Sequence, residues 1–153
     1  MNDHEKKITV PDEKIKELID SAIVMCDKMA NIELNAHDRA SLSKLDNVIE
    51  QIKGLKKKNI VTEEVARNIA VPFGVLAGEI MLNDRLRSEG FSFISAINAT
   101  VSDAGAPIVI ADKSRINTID TISMIYKVLT DDGDSKSTLN QFYEAFTLML
   151  KIM

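Results

Sequence analysis

The sequence predicts an α+β domain, mainly helical, with about five helices and a small antiparallel β-hairpin between the third and fourth. Three observations predict it. Aliphatic residues recur at helical spacing on both sides of the chain's middle. Between Phe91 and Ile97 the apolar period changes from 3.6 to 2. Asp103, Ala104, Gly105 and Ala106 then supply a turn before a second extended run, Pro107 to Ala111.

Residues 1–9 read as a flexible tail and residues 10–153 as one globular domain. Pro11 suits the first turn of helix one, with Thr9 and Asp12 spaced as a capping box. Ile15, Leu18, Ile19, Ala22, Cys26 and Met29 form its apolar stripe. Asp38 and Ser41 offer cap chemistry for helix two. Its stripe is Leu42, Leu45, Val48, Ile49, Ile52 and Leu55, with Lys44, Glu50 and Lys53 off it. Gly54 and the run Lys56, Lys57, Lys58 mark its end. Burying six such aliphatic side chains contributes roughly 10 kcal/mol before chain entropy is subtracted.

Helix three starts after Thr62, with Ile60 and Val61 as a hydrophobic staple and Glu63 and Glu64 facing the dipole. It reaches about Ser88 and closes on Gly90. Pro72 deprives the Asn68 carbonyl of its donor, so a kink or break is expected. Val65, Ile69, Phe73, Leu76, Ile80 and Met81 form its apolar face. Gly74 and Gly78, four apart, let another backbone approach. Thr118 is the expected cap of helix four, which uses Ile119, Ile122, Ile125, Tyr126 and Leu129. Ser135 or Ser137 caps the last helix, with Leu139, Phe142, Tyr143, Phe146 and Leu150 turned inward.

Composition narrows the function. Net charge is -4, so no broad attraction to nucleic acid or anionic lipid is expected. The lysine run beside a helix end reads as a dipole-facing cap. A single cysteine, Cys26, forms no internal disulfide and reads as a small buried hydrophobe. The N-terminus shows no secretory signal. The longest apolar stretch, Ile69 to Leu82, is fourteen residues with Pro72 and Glu79 inside it, short for a bilayer. A cytoplasmic location and no membrane partner are the expectation. The seven Met suit an adaptable core or an apolar surface that meets a partner.

No cofactor and no metal are expected. The two histidines, His4 and His37, supply too few ligands for zinc, and the common glycine-rich phosphate loops are absent from the sequence. Asp131, Asp132 and Asp134 do not keep calcium-loop spacing, since the twelfth position from Asp131 is Phe142. They read as a solvated acidic turn, and as residues that could meet a basic protein partner. Glu79 sits in an apolar segment, with Asp84 and Arg85 nearby in sequence. A carboxylate there must pair, reach water or shift its pKa. These three are the candidate ligand-binding residues.

The patterns Ser41-Leu42-x-x-Leu45-Asp46 and Gly74-x-x-x-Gly78-Glu79, the extended segments Phe91 to Ile97 and Pro107 to Ile110, and Ile116 to Ile125 resemble a family of uncharacterised bacterial domains. Together they span roughly residues 38–150. The resemblance implies a helical domain with a small antiparallel sheet, and it implies no particular activity. Phe93 stands where such domains usually carry Trp.

The leading expectation is a protein-protein interaction or regulatory module, in one version an immunity-type protein that blocks a basic toxin. A homodimer through the hairpin edge or a Met-rich helix face fits the same expectation. The other class is a small-molecule-binding domain or enzyme with a pocket near Glu79.

Overall fold

A computed structural model describes residues 10–95, 108–114, 117–130 and 138–152. Among them lie five α-helices and a three-stranded antiparallel sheet. The elements in order are α1 (Asp12–Ala30), α2 (Ser41–Lys57), α3 (Glu63–Asp84), a 3-10 turn (Leu86–Glu89), β1 (Ser92–Ser95), β2 (Ile108–Ala111), β3 (Thr118–Ile119), α4 (Thr121–Thr130) and α5 (Leu139–Ile152). The mainly helical α+β class and the position of the sheet between the third and fourth helices agree with the sequence.

The helix ends follow local chemistry, with several changes of actor. Pro11 itself is the N-cap of α1, and it offers no side-chain hydrogen bond. Asn31, in the left-handed region at φ 54°, closes α1, as a short amide side chain allows. Asp38 does not cap α2 directly. Its carboxylate accepts from the Ala40 N–H at 3.0 Å and tightens the preceding turn. The Ser41 hydroxyl is fully buried and accepts from the Asn35 N–H at 3.0 Å. α2 ends at Lys57, inside the lysine run and three residues beyond Gly54, as expected. Thr62 caps α3 as expected, accepting from the Val65 N–H at 3.2 Å.

α3 is the central helix. It packs against α1 on one side and α4 on another. Buried positions run without interruption from Pro72 to Gly78, so the helix is enclosed around its circumference and has no single apolar face. Val65, expected inside, is exposed, and Ala66 takes the buried place. The helix is not broken at Pro72. One backbone hydrogen bond is forgone, while Phe73 and Leu76, both fully buried, hold the following turn in place. By length and composition alone α3 could cross a membrane, yet most of its apolar window is buried inside this fold. α3 ends at Asp84, four residues before the expected Ser88, and the 3-10 turn that follows closes on Gly90 at φ 91°.

Gly74 and Gly78 explain how α3 is enclosed. A Cβ on Gly74 would lie 2.4 Å from Ile122 Cγ1 and 2.6 Å from its Cα, so α4 begins almost on the α3 backbone. The Thr121 hydroxyl donates to the Gly74 carbonyl at 2.6 Å across the same contact. A Cβ on Gly78 would meet the Phe93 ring at 2.8 Å and Ile110 Cδ1 at 2.9 Å. One glycine thus admits a helix, and the next admits the sheet.

The sheet order is β1-β2-β3. Ser92 pairs with Ala111 and Ser95 with Ile108, while Ile110 pairs with Ile119. β2 is the central strand and is buried on both faces, beyond the one-faced packing expected of a hairpin. β3 corrects the sequence reading. Thr118 and Ile119 are extended, and α4 is capped by Asp120, whose carboxylate accepts from the Ser123 N–H at 2.9 Å and its hydroxyl at 2.7 Å. Asp112 shapes the β2–β3 turn, accepting from the Asn117 side-chain amide at 2.8 Å and the Ser114 hydroxyl at 2.9 Å.

The α1 and α2 stripes pack inward as their spacing predicts. Lys53 departs from that pattern: it is buried at 7% exposure. A lysine can be this enclosed because its aliphatic stem tolerates apolar surroundings. Cys26 is fully buried, and burial pushes its thiol up to about 12.

Candidate functional site

The expected ligand-binding residues come from the end of α3, and each meets a different partner. Glu79 and Asp84 are five residues apart on a helix, which places them about 140° apart around the axis. Glu79 is half-buried, and its Oε1 accepts from Arg87 Nη2 at 2.9 Å. Arg87 also donates to the Asn83 side-chain oxygen. The Asn83 amide in turn donates to the Ala36 carbonyl at 3.0 Å. This chain of polar groups ties the 3-10 turn to α3 and then to the segment before α2.

Asp84 faces α5. Its Oδ2 accepts from the Tyr143 hydroxyl at 2.5 Å, and that hydroxyl also lies 3.3 Å from the Met81 carbonyl. Tyr143 is buried at 1% exposure. Burial first, then the hydrogen bond and negative charge of Asp84, raise the phenol pKa, so it remains a donor. The Arg39 guanidinium lies 4.7 Å from the centre of the Tyr143 ring, a cation–π contact. Arg85 pairs with Glu89 at 3.2 Å, one helical turn on.

The described surface includes open clefts at two places away from these residues. One, of about 420 Å³, is lined by Ser88, Glu89, Gly90, Asp112, Lys113 and Ser114. The other, of about 270 Å³, is lined by Lys56, Asn59, Val61, Thr62 and Glu63. Glu79, Asp84 and Arg85 line neither. Among the described residues, no three His, Cys, Asp or Glu side chains gather closely enough to hold a metal ion. Asp131, Asp132 and Asp134 lie outside the described residues, as do Ser135 and Ser137.

A different surface stands out, and the sequence reading did not single it out. α5 is fixed at its beginning from two directions. Thr138 and Gln141 form a capping box: the Thr138 hydroxyl accepts from the Gln141 N–H at 3.1 Å, and Gln141 Oε1 accepts from the Thr138 N–H at 3.2 Å. Asp46, reaching from α2, accepts from the Leu139 N–H at 2.8 Å and the Asn140 N–H at 3.0 Å. The first-turn donors of α5 are therefore satisfied, and a carboxylate faces the positive end of its dipole. Burial raises the Asp46 pKa, the two backbone hydrogen bonds pull it back, and the raise prevails.

The same helix is open along its outer side. Leu139 and Tyr143 are buried, and Phe142, Phe146 and Leu150 are half-buried against the core. Phe146 contacts Phe91 at 5.8 Å and Phe142 at 6.0 Å between ring centres. Leu148 and Met149, by contrast, are 59% and 58% exposed. At 100° per residue, Ala145, Leu148 and Met149 continue the apolar arc of Phe142, Phe146 and Leu150 into solvent. The signal was present in the sequence: α5 is apolar over more than half its circumference, wider than one core contact needs. Comparison with protein-family models, curated proteins and solved structures finds no match.

Proposed function

We propose that this chain is a protein-interaction module and that the outer side of α5 is its contact surface. The observation that carries the reading is the exposure of Leu148 and Met149 on a helix whose other side is firmly docked. Large apolar side chains presented together from a rigid element are what partner surfaces use. Two further features support it. The caps from Thr138 and Asp46 fix the helix before any partner arrives, which lowers the ordering cost of binding. The polar groups of Glu79, Asp84 and Arg85 are engaged with Arg87, Tyr143 and Glu89, which leaves less support for a small-molecule pocket beside Glu79.

The test places a photo-crosslinking residue at position 148, and separately at exposed Lys14 on α1, in cells that make the protein. A protein adduct is expected from position 148 and not from position 14. Its absence at 148, with the chain folded, sinks the reading. An adduct with a basic protein would point to the immunity-type version, with Asp131, Asp132 and Asp134 supplying charge.

A further inference from the structure

The two charged residues of α5 are Glu144 and Lys151, of opposite sign and seven positions apart. Both are exposed. Seven residues advance a helix by 700°, so the pair lies within about 20° of one line, roughly 10 Å apart along the axis. Leu148 lies beside that line, about 40° round the helix from Glu144, and exposed Ala145 and Met149 follow at about 100° and 140° on the same side. The midpoint between the two charges falls next to Leu148.

We infer that the partner of this surface is a second copy of the same chain, joined by antiparallel pairing of the two α5 helices about a two-fold axis beside Leu148. The inference rests on the reading of this side of α5 as a protein contact. Its added support is charge complementarity. A two-fold axis midway between positions 144 and 151 sets each Glu144 against Lys151 of the other copy, twice per dimer. It also brings the two Leu148 side chains together at the centre, where apolar contact is best shielded from water. Parallel pairing would set Glu144 against Glu144 and Lys151 against Lys151, which repels at both ends. A heterologous partner would need no such internal symmetry of charge.

Size sets the strength. One pair of fourteen-residue helices buries less than the roughly 1,200 Å² at which stable interfaces begin. The dimer is therefore weak, with a dissociation constant on the order of 10–100 μM.

Sedimentation equilibrium of the full chain from about 5 to 500 μM tests this concentration range. The expected result is a weight-average mass that rises towards twice the chain mass. Leu148→Glu, and independently Met149→Lys, should hold the chain monomeric while its circular dichroism and melting stay unchanged. Glu144→Lys alone or Lys151→Glu alone should weaken association about tenfold, and the double exchange should restore it. A wild-type chain that stays monomeric throughout overturns the dimer. So does a double exchange that fails to restore association. If the wild-type chain is monomeric yet position 148 crosslinks to a different protein, the dimer falls and the interaction reading stands. If neither occurs, both fall.

Discussion

α3 and α5 are both strongly apolar helices, and their surroundings differ completely. Thirteen of the twenty-two residues of α3 are buried, on every side of the helix. In α5, Leu139 and Tyr143 are buried, while Leu148 and Met149 stand in solvent. The difference comes from residue size more than from hydrophobicity. α3 carries Ala66, Ala70, Gly74, Ala77 and Gly78 among its buried positions, so neighbours can close in from several directions. α5 presents Phe142, Tyr143 and Phe146, which fill space on one side and hold the remaining surface at a distance. Apolar composition alone does not locate a core; small residues mark where a helix can be surrounded.

Enlarging Gly74 should have the largest effect. Gly74→Ala places a methyl against the backbone of Ile122, which cannot yield without moving α4. A loss of about 3 kcal/mol and roughly 10 °C in Tm is expected by thermal unfolding. Gly78→Ala should cost nearer 1 kcal/mol. Its added methyl meets the rim of the Phe93 ring and the tip of Ile110, which can shift, and alanine favours the helix. Equal losses at the two positions would show that backbone proximity is not what encloses α3.

The fixed end of α5 gives the next effect. Asp46→Ala removes the acceptor of the Leu139 and Asn140 N–H groups and should cost about 1–2 kcal/mol. Asp46→Asn keeps an acceptor oxygen and removes a partly buried charge, so its loss should be within about 0.5 kcal/mol. The pH dependence follows from the raised Asp46 pKa. A carboxyl group whose folded pKa lies above its unfolded value binds its proton more tightly in the folded state. Its contribution is fully present below the unfolded pKa, near 3.9, and is lost as pH rises through the folded value. The melting temperature of the wild type relative to Asp46→Asn should therefore fall as pH climbs through that window. A rise would reverse the sign and show that the cap hydrogen bonds outweigh burial.

The smallest effect lies on the open side. Met149→Gln should change monomer stability by less than about 0.5 kcal/mol, measured by urea unfolding at low micromolar concentration. A loss as large as that of a core residue would mean that this side of α5 is enclosed after all.

Periodic segments were legible in the sequence because their meaning is local. The stripes of α1 and α2, the Thr62 cap and the change of period before β1 each follow from neighbouring residues. What the sequence left hidden depends on distant partners. β3 is two residues long and exists because β2 pairs with it. Asp46 caps a helix that begins 93 positions later, a relation no local pattern contains. Lys53 looked like a solvent residue because its charge dominates any sequence reading, although the fold buries it. Glu79 was legible as a carboxylate that needed a partner, and Arg87, eight residues on, was reachable only once α3 ended and the 3-10 turn doubled back.

The burial of Cys26 has a practical consequence. It is the only thiol in the chain and sits on the inner face of α1, with its pKa pushed up to about 12. A thiol held so far above its ordinary range stays protonated at pH 8, and at 0% exposure it meets no bulky alkylating reagent from solvent. Each labelling event therefore records a molecule in which α1 has lifted away, so the protein carries a built-in chemical clock for its own opening.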